Sequence, residues 1–346
     1  MTVLVTGAAG FLGSHVTDLL VESGLRPRVL IRPGESVAAR TDREVDIHVG
    51  DIADRGSLEA ALSGVQRVLH CAARTGPWGL AAEYERTNVR GLALLVRIAM
   101  AAGVQRLVHV SSATVHGLDV KGVADEDAPL QVEPNPYCRS KVAGERLLAR
   151  MIREEGAPVT IVRPGWIYGP RDAASFGRIA RTIEQRRMIM AGAGCNHLPL
   201  IYVRDAARGV LLAGDAVQAA GRCYVLVNDE PVTQRDFVAA IAAELGVPAP
   251  TRHIPYRLGL MLGALAEGVV RSRRGNPPPV SRFGVKLLGG ESRFVITRAE
   301  RELGFSPLVD VAEGVSRSVE WYRAAHGVPA RAMPAHRARR GMEARA

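Results

Sequence analysis

The 346-residue sequence predicts an α/β fold, a doubly wound parallel sheet followed by a smaller, mixed C-terminal lobe. Three observations predict it. Short β-branched apolar runs alternate with helix-like segments, a glycine-spaced turn joins the first run to the first helix, and the alternation breaks down near residue 170. Strands alternating with helices form right-handed βαβ units, and strands covered on both faces read as apolar runs.

The expected strands are VLVT (3–6), RVLI (28–31), VDIHV (45–49), RVLHCA (67–72), RLVHVS (106–111) and VTIVR (159–163). None alternates polar with apolar, so burial on both faces is expected. Helical patterns such as GSHVTDLLVES and YERTNVRGLALLVRIAMAAG lie between them. Later come SFGRIARTIEQRR, VRDAARGVLLAGDA and TQRDFVAAIAAELG, separated by Pro- and Gly-rich connectors. The chain therefore divides into a sheet core at 1–170 and a lobe at 171–326 that returns some strands to the core. A basic tail follows at 327–346, with little to bury and hence expected to be disordered.

Composition excludes several classes. At 47% hydrophobic and 23% charged, the profile is that of a soluble protein. No apolar run nears the roughly 18 residues of a membrane helix. MTVLVTG opens as a buried strand with no basic leader, and a cytoplasmic protein is expected. The four cysteines form no CxxC pair and have no histidine at ligand spacing, so no disulfide framework and no metal site are expected. The net charge of +10 raises nucleic acid as a partner, but much of it sits in RSRR (271–274) and the tail. A basic, aromatic-poor tail is a weak basis for specific nucleic-acid binding, and none is expected.

VLVTGAAGFLG places Gly7, Gly10 and Gly13 at the first strand–helix junction, with Phe11 and Leu12 opening the helix. Glycines there permit a tight turn and close backbone approach to a pyrophosphate, whose charge sits at the helix N-terminus. GxxGxxG is a weak signal alone; at this junction it reads as the dinucleotide turn of a Rossmann-type sheet. The second strand ends in Ile31-Arg32 with no acid at its tip. An arginine there suits a 2′-phosphate, so NADP(H) is expected in preference to NAD(H), which nearby Glu35 leaves open. Asp51, followed by Ile52, is placed to accept from an adenine amino group or else to cap a helix near Ser57. Ala72 and Ala73 are small enough to let a cofactor cross the end of the fourth strand.

The fifth strand ends in Ser111-Ser112, and Tyr137 and Lys141 follow at i and i+4 on a helix that Pro136 starts. An ammonium about 5 Å from a phenol contributes roughly 3 kcal/mol at an effective dielectric near 20. That would lower a tyrosine from about 10 by about two units, making it a general acid or base near neutrality. An incidental Tyr–Lys pair on an amphipathic helix is the alternative for YxxxK alone.

TGAAGFLG, GDIAD, HCAA, TNVRG, SSATVHG, PYCRSK and RPGWIYGP stand in the order of the extended short-chain dehydrogenase/reductases, which the chain resembles over roughly 1–325. The resemblance implies Ser112, Tyr137 and Lys141 as catalytic residues, with Lys141 also on the nicotinamide ribose and Asn88 positioning helix and strand. It adds Pro164 and Ile167 to the cofactor site, and dimers through the two long helices are usual in such families. The later region is similar to the 3β-hydroxysteroid and sterol dehydrogenase branch. TGPWG (75–79) is also similar to bacterial reductases of 2-alkyl-3-oxoacyl compounds. An apolar substrate follows, facing Trp78, Thr114, His116 and Trp166, although many relatives carry Tyr at position 116.

Leu198-Pro199-Leu200 occupies the place where nucleotide-sugar enzymes typically carry Arg-Asp-Phe. The expected function is thus an NADP(H)-dependent oxidoreductase that interconverts a ketone and a secondary alcohol. The alternatives are a nucleotide-sugar epimerase or dehydratase with tightly bound NAD, and a non-catalytic dinucleotide sensor. Leu258–Val270 is apolar on most sides, and reads as the roof of a pocket, a peripheral membrane contact or a buried helix of the lobe.

Overall fold

The computed structural model describes residues 1–37, 44–270 and 278–327. Its central sheet has seven parallel strands: β1 Val3–Thr6, β2 Arg28–Ile31, β3 Asp46–Val49, β4 Arg67–His70, β5 Arg106–Val110, β6 Val159–Pro164 and β7 Cys223–Leu226. Their order is β7-β6-β5-β4-β1-β2-β3. The chain runs outward from β1 to β3, then crosses to β4 on the other side of β1. That reversal opens a crevice at the carboxyl ends of β1 and β4, where open α/β sheets bind ligands.

Apolar layers cover both faces. Leu4, Leu58, Leu92 and Leu148 join one face to the helices Arg55–Leu62, Leu92–Ala101 and Pro136–Glu155. Val5, Val16, Val108 and Val210 join the other to Phe11–Glu22 and Val203–Asp215. The last of these helices and β7 both come from beyond residue 170, so the later chain completes the core sheet. Three two-stranded pairs lie outside it, including Trp166–Tyr168 with Leu200–Tyr202.

Three expectations need correction. β3 is not buried on both faces: it is the sheet edge, and Val49 is 62% exposed. YERTNVRGLALLVRIAMAAG is not one α-helix, because a π-helical stretch at Glu85–Gly91 separates Ala81–Tyr84 from Leu92–Ala101. Nor is the late apolar segment a buried helix. Tyr256–Val269 buries only Gly259 and Gly263, while Met261 is 52% and Leu265 61% exposed. Gly263 is needed there because a Cβ would lie 2.7 Å from the Arg282 backbone nitrogen.

The Arg271–Arg274 run and the basic tail beyond Gly327 lie outside the described residues. Among those described, no helix is long and apolar enough to cross a membrane.

Candidate active site

The glycine turn fits a dinucleotide. Gly7 has φ +74°, and a Cβ on it would lie 2.6 Å from the Ala72 backbone nitrogen, so the turn and the end of β4 touch through backbone alone. A Cβ on Gly13 would strike the Gly7 carbonyl. Gly10 caps Phe11–Glu22 without any side-chain bond and no acid stands in the first turn, which leaves the helix N-terminus to an anion. Ala72 and Ala73 continue from β4 beside this turn, and Ile52, beyond the end of β3, is buried against Gly91.

Arg32 is at the tip of β2, but it is not free. Its Nη2 and Nε donate to Glu35 Oε1 at 2.5 and 2.8 Å, although its side chain remains 70% exposed. Asp51 does not cap the helix near Ser57; Asp54 does, accepting from Ser57 N at 2.7 Å. Asp51 instead accepts from Ala53 N and from Arg86 Nη2, both within its own corner of the crevice.

At the other side of the crevice, Asn135 accepts from Tyr137 N and Cys138 N, and with Pro136 in first position it starts the helix Pro136–Glu155. Tyr137 and Lys141 then share one face, with the Lys141 Nζ 6.0 Å from the Tyr137 ring centroid. Lys141 is buried and donates to the Val110 carbonyl at 2.8 Å. The Ser112 oxygen accepts from Thr114 N and Thr114 Oγ1 at 3.2 and 3.0 Å. Its own hydrogen is thereby left to donate, and a hydrogen bond from Ser112 lowers the Tyr137 pKa.

Tyr137 is not lowered as expected. Burial pushes Tyr137 up to about 12, more than its hydrogen bond with Ser112 offsets. Burial also pulls Lys141 down to about 8. The loss of water around both groups outweighs what attraction between them would supply.

A buried network holds these residues in place. Arg163 on β6 donates to Glu145 from Nη2 at 2.6 Å and Nε at 3.0 Å, and from Nη1 to the Glu126 carbonyl at 2.8 Å. Ser111 Oγ donates to Glu145 Oε1 at 2.5 Å. Glu145 lies one turn beyond Lys141 and Ser111 directly precedes Ser112, so one carboxylate ties helix to strand end. Asn88 donates to Ser140 Oγ and to the Arg74 carbonyl, which links the π-helical stretch to the same helix. Sequence reasoning missed Glu145 and Arg163; the signal was a charge inside the apolar strand VTIVRP, which demands a buried partner.

The substrate-side expectations divide. A cleft opens beside Asn135 and Pro136, with Trp78, Leu118 and Phe283 among its walls. Two ion pairs, Lys286–Glu133 at 2.7 Å and Arg282–Glu267 at 2.8 Å, border it. Trp78 is one of its walls, and Thr114 touches Ser112. His116 does not reach the cleft: it is buried, with Nε2 3.0 Å from Arg163 Nη1 and its ring against Phe294. Trp166 bonds Ser175 through its indole nitrogen at 2.7 Å and packs edge-on against Phe237, away from the cleft. Pro164 ends β6, and Ile167 follows in the next short strand. Among the described residues, no cluster of His, Cys, Asp or Glu converges as metal ligands.

A family model described as the NAD dependent epimerase/dehydratase family matches residues 3–226. The chain belongs to this family. It is 30% identical over 328 residues to the 2-alkyl-3-oxoalkanoate reductase of Stenotrophomonas maltophilia, covering 92% of this chain and 98% of that one. It is also 30% identical over 330 residues to the mouse (Mus musculus) sterol-4-alpha-carboxylate 3-dehydrogenase, decarboxylating, covering 91% and 89%. Among solved structures it resembles a dTDP-glucose 4,6-dehydratase from Streptomyces venezuelae with NAD and TYD bound. There the TM-score is 0.76 and the identity 27%, over 94% of this chain and 98% of that one. This member of the epimerase/dehydratase family is an NAD(P)-dependent oxidoreductase acting on CH–OH or keto groups.

Proposed function

We propose that the enzyme interconverts a ketone and a secondary alcohol on an apolar substrate, with NADP(H) as the preferred cofactor. One observation carries the reading: Ser112, Tyr137 and Lys141 meet at the carboxyl edge of the sheet that also carries the glycine turn, and the start of the tyrosine's helix, Asn135 and Pro136, borders the cleft lined by Trp78. Gly7, Gly10, Phe11 and Leu12 would hold the pyrophosphate and Asp51 with Ile52 the adenine. Ala72, Ala73, Tyr137, Lys141, Pro164 and Ile167 would border the nicotinamide half. When bound, the cofactor supplies or accepts the hydride at its nicotinamide ring.

The protein's own groups handle the proton. With a pKa near 12, Tyr137 keeps its proton at neutral pH and is set to donate it as a ketone is reduced. Ser112 hydrogen-bonds the substrate oxygen as negative charge develops there. Lys141, buried at the same edge, would hold the nicotinamide ribose.

The two curated relatives act, by name, on a 3-oxoalkanoate and on a sterol carboxylate. An apolar body with a 3-oxo or 3-hydroxy group is the class proposed here. The nucleotide-sugar alternative finds little support at Leu198 and Leu200, which are buried in the apolar core and offer a diphosphate no charge. For the cofactor, Arg32 is the ligand proposed for a 2′-phosphate, which would have to draw it from Glu35.

A nicotinamide-fluorescence screen against 3-oxoacyl compounds, steroids, flavonoid ketones and UDP-sugars tests the proposal. Turnover of an apolar ketone is expected, and turnover of UDP-sugars alone would overturn the reading. Arg32→Ala should lower the preference for NADPH over NADH by about 1–2 kcal/mol, or roughly tenfold. An unchanged ratio would remove Arg32 from the assignment.

A further inference from the structure

Three polar side chains form a row across the carboxyl ends of β1, β4 and β5. The strand register pairs Thr6 with His70 and His70 with His109. The Thr6 hydroxyl and His70 Nδ1 are 2.7 Å apart, and the two imidazole rings are 5.3 Å apart between centroids. Alternation along the strands puts the row on the face of Leu4, Val68 and Leu107, which Pro136–Glu155 covers through Leu148 and Met151.

His109 stands out within the row. It is 3% exposed, and neither of its ring nitrogens has a hydrogen-bond partner in the protein. Buried polar groups are otherwise completed by protein or by ordered water. Its chain neighbour Val110 takes one of the three donors of the Lys141 ammonium, and the charge of Lys141 acts on both His70 and His109. Burial and that charge hold His109 well below its usual range, so it stays a neutral ring with one acceptor nitrogen.

We propose that His109 is a positioning residue for Lys141: its acceptor nitrogen and the lysine ammonium share a buried water, which keeps the ammonium charged and aimed at the crevice. The His70 ring, held by Thr6, packs against the His109 ring and limits where that ring can turn. The inference rests on the proposed role of Lys141. The titratable groups around Lys141 are Tyr137 and Glu145 on its own helix, Cys71 and His70 at the end of β4, and His109 on β5. Among them only His109 lacks a protein partner for a buried acceptor while lying beside the backbone that already binds the ammonium.

Two substitutions and one spectrum test it. His109→Phe keeps the ring's bulk and removes the acceptor, whereas His109→Gln restores one. The alkaline limb of kcat for ketone reduction should move about one pH unit towards acid in His109→Phe, since an ammonium with fewer acceptors loses its proton more easily. It should return in His109→Gln. Independently of turnover, ¹⁵N spectra of histidine-labelled, cofactor-free protein should show a neutral His109 with one hydrogen-bonded nitrogen that shifts in Lys141→Met. A limb unmoved in His109→Phe, or a His109 signal indifferent to Lys141→Met, makes it a packing residue only. Should the wild type reduce no ketone, the proposed function fails, and the ¹⁵N comparison still decides the role of His109.

Discussion

Burial between Pro136–Glu155, β4 and β5 pulls Lys141 down to about 8, against Glu145 and Cys71, which act to raise it. An unfolded lysine titrates near 10.4. Below pH 8 the folded chain therefore bears the full cost of a buried ammonium. Between about 8 and 10.4 the unfolded chain holds a proton that the folded chain has released, so stability rises with pH across that window. Lys141→Met has no such proton, and should be stabilised relative to wild type by up to about 3 kcal/mol at pH 7. That advantage should shrink as the pH approaches 10, whatever the loss of the Val110 contact costs at every pH. Thermal denaturation of both proteins at pH 7 and pH 10 checks it, and a constant gap would mean that Lys141 is not depressed. The Tyr–Lys spacing was legible in the sequence because it is local. Its electrostatics were not, because desolvation comes from residues distant in the chain.

The helix Pro136–Glu155 shows the same division along its length. Its start was readable from Pro136, and Asn135 caps it as such a residue should. Its attachment was not readable, since Glu145 meets Arg163 from a different element and Ser111 from a third. Both charges are almost fully buried, with side-chain exposures of 3% and 8%. Removing one partner leaves a buried charge unpaired. Arg163→Met should therefore cost about 3–5 kcal/mol in chemical denaturation, and adding Glu145→Leu should recover much of it. If the pair acts as a clamp on Lys141 as well, the recovered double variant will still turn over slowly. Full activity in that variant would make the network purely structural. The π-helical stretch at Glu85–Gly91 was equally illegible, as nothing in TNVRG breaks a helical pattern.

Across the whole molecule, strand order is what brings the turn after β1, the small residues after β4, Ser112 after β5 and the start of Pro136–Glu155 to one edge. The alternation of strands and helices made that sheet legible, edge strand β3 excepted. The cleft was much less so, because its walls come from Trp78, from Glu133–Pro136 and from Ser281–Lys286, which only the tertiary fold juxtaposes. His116 and Trp166 do not line it, since sequence positions near the site say nothing of which way their side chains turn. The central claim is that Tyr137 delivers the proton during ketone reduction. It is tested most directly by single-turnover reduction of a 3-oxo substrate by wild type and Tyr137→Phe, each saturated with NADPH. The account predicts a rate at least about 10²-fold lower in the variant with NADPH affinity within twofold of wild type. A rate within a few-fold of wild type at equal occupancy would contradict it.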